Sequence, residues 1–180
     1  MIKKCAAAVE KLGYIGVGTL EFLLDSNGDF WFMEMNVRLQ VEHAVTEVLT
    51  QTDLVKWQIR VAAGIPLSFD QQDINMSGSA IECRINALRP GKVNFIHVPG
   101  GPFVRFDTYL TGGAEVTRFY DPMVGKMIVY AGTREEAIRK MKASLCELVI
   151  SGIDINIEEL LSILEDDRFA SGRYDLSFFD

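Results

Sequence analysis

The chain has 180 residues, with 18 Lys and Arg against 25 Asp and Glu, a net charge of −7 and a pI near 4.9, which excludes a sequence-independent attraction to nucleic acid or to anionic membrane. At 48% hydrophobic and 24% charged residues, it has material for one ordinary domain or two small ones. Cys5, Cys83 and Cys146 are odd in number, far apart and outside any C-x-x-C spacing, which argues against a disulfide framework or zinc site. No signal-peptide pattern follows Met1 and no apolar run approaches the roughly 18 residues of a membrane span, so a cytoplasmic location is expected.

In chain order, residues 2–12 (IKKCAAAVEKL) read as a helix stopped by Gly13, because a glycine accepts the left-handed position at a helix end. Residues 19–37 read as a β-hairpin: TLEFLL and DFWFMEMNV flank DSNG, and Asn-Gly predicts a type I′ turn. With Asn27 and Gly28 as the two loop residues, Leu24 faces Trp31, Phe22 faces Met33 and Glu21 faces Glu34. Leu20, Phe22, Leu24, Trp31, Met33 and Met35 then share the apolar face, and Glu21, Glu34 and Asn36 the polar one. Thr52-Asp53 opens a helix through Ala63, with Leu54, Val55, Ile59 and Ala62 on its stripe and Gly64 and Pro66 beyond its end. The turn-rich stretch 67–78 marks a boundary.

The second block begins with SAIECRINA at 79–87, which places Ile81, Cys83 and Ile85 on one face and Glu82, Arg84 and Asn86 on the other. VPGGP at 98–102 forces a turn, and VRFDTYL and MVGKMIVYAG read as strands. Thr133 to Glu136 forms a capping box for a helix with Ala137, Ile138, Met141, Leu145 and Leu148 at helical spacing up to Gly152. Asn156 is expected to cap a last helix at 157–166. Strands mixed with separate helices predict an α+β chain.

The chemistry concentrates in FMEMNVRLQVEH, residues 32–43, where Glu34, Asn36, Arg38, Gln40 and Glu42 occupy every second position. As an extended strand, this run would point all five polar side chains to one side. Glu21 and Glu34 facing one another repel unless a cation lies between them, and two acids with an amide suit magnesium or manganese. A solvated sheet face with an accidental Glu pair is the alternative. Arg38 and Arg84 offer guanidinium forks to a small planar anion, and Glu42 stands where it could take that anion's proton; for Arg84 the alternative is a surface ion pair with a neighbouring Glu. His43 fits a structural hydrogen-bonding role better than a catalytic one.

The strings EFLLDSNGDFWFMEMNVRLQVEHAVTE, DLVKWQIRVAAGIPL, AIECRINA, HVPGGPFVR, FYDPMVGKMIVYAGTREEAIRKM and LVISGIDINIE together resemble the biotin carboxylase subunit or domain of biotin-dependent carboxylases such as acetyl-CoA carboxylase. The resemblance covers nearly the whole chain, and RLQVEH together with AIECRINA argues against a third reading, a different ATP-grasp ligase. It implies the C-terminal portion of an ATP-grasp domain at 1–75, an antiparallel sheet with helices, followed by the biotin carboxylase C-terminal domain at 76–180. The implied activity uses ATP, Mg2+ or Mn2+, and bicarbonate to carboxylate N1′ of biotin carried on a partner. By the same resemblance Glu21 and Glu34 hold the metal that bridges the ATP phosphates, with Asn36 assisting. Arg38, Gln40 and the Val41 backbone N–H bind bicarbonate, Glu42 is the base, and Arg84 binds biotin and stabilises its ureido oxygen.

Implied partners are a biotin carboxyl carrier protein or domain, a carboxyltransferase and the N-terminal ATP-grasp portion, with a homodimer as the family's habit. The chain departs from the family's pattern at LRP (88–90), where the family has a longer loop, and at Ala44, where it has proline. No glycine-rich phosphate loop lies between Met1 and Glu21, so the chain alone is expected to be inactive. The alternative is a naturally short, non-catalytic assembly or interaction module of the same fold.

Overall fold

The computed structural model describes residues 1–179 and divides into two units, Met1–Asn75 and Met76–Asp180. In the first, helix α1 (Ile2–Leu12) ends at Gly13, whose φ of 63° is left-handed and whose N–H donates to Glu10 O at 3.0 Å. Strands β1 (Thr19–Leu24) and β2 (Phe30–Asn36) pair antiparallel.

Their turn differs from the expected type I′. The only non-glycine residues with positive φ among those described are Gln51 and Phe103, so Asn27 is not left-handed, whereas Gly28 is, at φ 84°. Gly28 N–H donates to Asp25 O at 3.1 Å, which makes a three-residue Ser26-Asn27-Gly28 loop built on a type I turn with a left-handed glycine. Asp25 drives that choice: its Oδ1 accepts from the N–H groups of Asn27 (2.9 Å) and Asp29 (3.0 Å), and its Oδ2 accepts from Trp31 Nε1 at 3.3 Å. The longer loop shifts the register by one, so Leu24 pairs with Phe30, Leu23 with Trp31 and Phe22 with Phe32. A bulge at Met33 then shifts it back, and Glu21 faces Glu34 as expected. The apolar face is corrected accordingly. Phe22 meets Phe30 and Phe32 edge-on at 5.5 and 5.8 Å, while Leu24, Trp31 and Met33 are exposed.

The strand also ends sooner than expected. Beyond Asn36 the chain leaves the sheet, and helix α2 (His43–Thr50) begins where an extended run was expected to close. Helix α3 (Leu54–Ala62) starts at the expected cap, Asp53, whose Oδ1 accepts from Lys56 N–H at 2.8 Å. Its half-buried residues include Leu54, Trp57 and Val61, whereas Val55 and Ile59 are exposed, so the expected stripe is rotated toward Trp57, which packs edge-on to Phe69 at 5.3 Å. Of the described residues in this unit, only Ala44 and Glu47 are fully buried.

The second unit carries a larger core. Its strands are β3 (Ser79–Asn86), β4 (Gly91–Lys92), β5 (Phe95–His97), β6 (Val104–Thr108), β7 (Glu115–Val116), β8 (Met123–Ala131) and β9 (Val149–Ser151). They form an antiparallel sheet in the order β3-β8-β6 and the two-stranded pairs β4-β7 and β5-β9. Helix α4 (Arg134–Glu147) begins at Thr133, whose Oγ1 accepts from Glu136 N–H, and its Ala137, Met141 and Leu145 are buried in one cluster with Ile81, Cys83, Ile85 and Met127. The helical pattern does not continue to Gly152 as expected: Leu148 is extended and β9 follows. Helices α5 (Ile157–Glu165) and α6 (Asp167–Ala170) close the chain. Asn156 stands at the expected cap position, but its side chain makes no cap. It turns instead to β3, where Oδ1 accepts from Asn86 N–H at 2.8 Å and Nδ2 donates to Arg84 O at 3.3 Å.

Candidate functional site

The bulge at Met33 places Glu34 and Asn36 on the same side of the hairpin as Glu21. There the Asn36 amide ties the two acids together, because Nδ2 donates to Glu21 Oε1 at 2.8 Å and to Glu34 Oε1 at 2.9 Å. Its other end, Oδ1, accepts from Arg38 Nη2 at 3.3 Å. Gln40 Nε2 donates to the same Glu21 oxygen at 2.9 Å. One half-buried carboxylate thus gathers both amides, and the guanidinium lies at the edge of the group.

The structure brings Glu21, Glu34, Asn36, Arg38 and Gln40 together, by a route other than uniform strand alternation. Only Glu34 and Asn36 of the five alternating residues lie in β2. Arg38 and Gln40 reach the cluster from the segment that leaves the sheet, and Arg38 Nη1 donates to Leu39 O at 3.2 Å there. Val41 and Glu42 form a turn, and Glu42 is the residue before α2. A two-residue repeat holds only while the chain stays extended, and the Asn36 side chain, bonded to both acids and to Arg38, sits at the end of the ladder.

The His43 ring makes a local hydrogen bond. Its Nδ1 lies 2.8 Å from Gln40 O; a carbonyl only accepts, so Nδ1 carries the hydrogen. Behind it stands Glu47, which sequence reasoning missed although its spacing of four from His43 was the available signal. Glu47 is 7% exposed, and Oε1 accepts from Leu54 N–H at 2.7 Å while Oε2 lies 4.0 Å from His43 Nε2.

Arg84 belongs to the second unit, exposed on the outward side of β3 and opposite Lys126 of β8. The neighbouring Glu82 pairs with Lys126 at 3.6 Å, and Lys126 lies 3.9 Å from Asp107. The side chains of Glu82 and Lys126 are 6% and 9% exposed. Lys126 is the second residue missed; the G-K in the strand MVGKMIVYAG was its signal. The short 88–90 loop is held firmly, with Leu88 N–H donating to Asp154 O at 2.9 Å and Arg89 paired to the Asp154 carboxylate.

Among the described residues no three His, Cys, Asp or Glu side chains are placed to hold a metal by themselves. The two carboxylates nevertheless fit magnesium or manganese, which take one or two protein carboxylates and complete their shell with water and phosphate oxygens; Asn36 would join them only by turning toward the ion its Oδ1, which here accepts from Arg38. The arrangement pairs a cation-type acid cluster with a guanidinium suited to a planar oxyanion.

A family model described as the biotin carboxylase C-terminal domain matches residues 82–180, and one described as the carbamoyl-phosphate synthase L chain ATP binding domain matches residues 1–70. The chain is 50% identical over 184 residues to a biotin carboxylase of Haemophilus influenzae, covering 98% of this chain and 41% of that protein. It resembles the solved biotin carboxylase of Campylobacter jejuni in complex with β-γ-ATP, with a TM-score of 0.93, 40% identity, and coverage of 98% of this chain and 41% of that one. A biotin carboxylase domain dimer of Hydrogenobacter thermophilus 2-oxoglutarate carboxylase, with MgADP and bicarbonate, matches with a TM-score of 0.91 at 40% identity, over 96% of this chain and 40% of that one. The chain thus spans about two fifths of the length of these relatives. Its antiparallel sheets and helices are those of the ATP-grasp and C-terminal regions of such enzymes, and the chain belongs to the biotin carboxylase family.

Proposed function

We propose that this chain is the C-terminal portion of a biotin carboxylase, with residues 1–75 completing an ATP-grasp domain and 76–180 forming the C-terminal domain. The observation that carries the reading is the hydrogen-bonded group of Glu21, Glu34, Asn36, Arg38 and Gln40. The sparse burial of the first unit supports it too, since Leu23, Trp31 and Met33 remain exposed, an apolar surface suited to cover by the rest of an ATP-grasp domain.

In this reading Glu21 and Glu34 would hold magnesium or manganese with Asn36 assisting, and the ion would neutralise charge on the ATP phosphates. Arg38, Gln40 and the Val41 N–H bind bicarbonate. Glu42 takes its proton as its oxygen bonds to the γ-phosphorus of ATP, giving carboxyphosphate and ADP. Breakdown of carboxyphosphate yields CO2 and phosphate; the phosphate takes the N1′ proton of biotin, Arg84 stabilises the charge that develops on the ureido oxygen, and N1′ bonds to the carbon of CO2. The partners are a biotin carrier, a carboxyltransferase and the N-terminal ATP-grasp portion; a homodimer follows the Hydrogenobacter domain. Among the described residues no helix is long and apolar enough to cross a membrane, and Cys5, Cys83 and Cys146 are free thiols, which suits a reducing compartment such as the cytoplasm.

The test is the size of the native polypeptide in cell lysate, read with an antibody against this chain. A species much heavier than 20.2 kDa that cleaves ATP only when bicarbonate is present agrees with the proposal. A native species of 20.2 kDa with no partner restoring that activity contradicts it.

A further inference from the structure

Gln40 is held from two sides. Its side chain donates to Glu21 at 2.9 Å, and its carbonyl accepts from both the backbone N–H (3.3 Å) and the ring Nδ1 (2.8 Å) of His43. His43 is the first residue of α2, and that helix is anchored in turn. The buried Glu47 carboxylate accepts from Leu54 N–H at the start of α3, and Glu47 O accepts from Thr52 N–H at 3.2 Å. These two hydrogen bonds tie α2 to the start of α3. The segment carrying Gln40, Val41 and Glu42 therefore hangs between the acid cluster and a braced helix.

Resting on the bicarbonate reading of that segment, we propose that His43 is a positioning residue. Its ring Nδ1–H, backed by the Glu47 brace, fixes the Gln40 carbonyl so that the Gln40 amide, the Val41 N–H and Glu42 meet a small planar oxyanion already aligned. His43 itself touches neither the anion nor a phosphate. Small displacements of positioning groups are costly for reactions that depend on alignment.

Two variants separate this role from simple support of the fold. In His43→Asn the amide nitrogen falls near the place of Nδ1 and keeps the donor to Gln40 O. In His43→Gln the amide lies near the place of Nε2, and the donor is lost. In the complete enzyme, His43→Gln raises the KM for bicarbonate about tenfold, more than it lowers kcat and with no change in the KM for ATP, as expected for one lost hydrogen bond. His43→Asn restores the bicarbonate KM to within about threefold of the wild type. In the complete enzyme, the amides at positions 43 and 45, bonded to Gln40 O and Glu42 O, exchange about tenfold faster in His43→Gln than in His43→Asn. An unchanged bicarbonate KM in His43→Gln, an equal rise in both variants, or equal amide exchange in both overturns the proposal. Loss of bicarbonate-dependent ATP cleavage in Arg38→Ala alongside a normal His43→Gln rejects only the role of His43, whereas an unaffected Arg38→Ala rejects the bicarbonate reading beneath it.

Discussion

Replacing Lys126 by methionine is expected to destabilise the second unit severely, and replacing Glu82 as well is expected to undo most of the damage. Lys126 lies in β8, the central strand of its sheet, 3.6 Å from Glu82 and 3.9 Å from Asp107. The Glu82 side chain is only 6% exposed, so it cannot exchange its cationic neighbour for bulk water, whereas Asp107 is 33% exposed and bonded to Arg105 at 2.7 Å. Removing one partner of such a buried pair costs about 3–5 kcal/mol. Arg84 and Arg105, on the flanking strands of the same sheet, soften the effect toward the lower end, roughly 3 kcal/mol. At about 4 °C or more per kcal/mol for a domain of this size, the melting temperature of the unit falls by ~12 °C or more. Replacing both charges, Glu82→Leu with Lys126→Met, leaves no buried charge behind and is expected within about 1 kcal/mol of the wild type. Calorimetry of the two variants settles the matter. A Lys126→Met protein that melts with the wild type, or a double variant less stable than the single one, refutes the reasoning.

The hairpin loop should respond to acid. Trp31 Nε1, then the N–H groups of Asp29 and Asn27, hold the Asp25 carboxyl below the usual carboxylate range. A depressed carboxylate contributes stability above its unfolded value of about 4 and loses it as pH falls through the folded value. Trp31 fluorescence in a Trp57→Phe background should therefore change only below about pH 4, and the transition should vanish in Asp25→Asn; a transition that survives in Asp25→Asn contradicts the assignment. Burial, and after it the neighbouring Glu82, pushes the Cys83 thiol up to about 12. A thiol reagent at pH 8 is thus expected to modify the exposed Cys146 and spare Cys83, as mass mapping of the labelled peptides will show; equal labelling of the two contradicts it.

The cross-strand acid pair was legible in the sequence although the turn was misread. The Ser26-Asn27-Gly28 loop moves the register one way and the Met33 bulge moves it back, so the pairing of Glu21 with Glu34 survived while the inner pairs did not. Neither irregularity follows from alternation: the first is set by the Asp25 side chain, and the second breaks the two-residue repeat it would have to be read from. Helix α2 was hidden because Val45, Thr46, Val48 and Thr50 are β-branched and favour strands. What holds it is tertiary, the buried Ala44 and Glu47. Strand β9 was hidden for the opposite reason, since Leu148 continues the helical spacing of α4 even though its backbone is extended. Helix caps whose partners lie nearby, at Asp53 and Thr133, were legible. Asn156 was not, because its side chain bonds to Arg84 and Asn86, some seventy residues away.

The central claim is that the group around Glu21 and Arg38 serves bicarbonate and ATP. The direct measurement is ATP cleavage with and without bicarbonate in the complete enzyme carrying Arg38→Ala, beside its melting temperature. Arg38 is exposed and bonded at the edge of the cluster, so the fold is expected to survive, while loss of the donor proposed to meet the reacting anion is expected to lower bicarbonate-dependent turnover at least ~100-fold. Unchanged turnover in a folded Arg38→Ala enzyme would contradict the account.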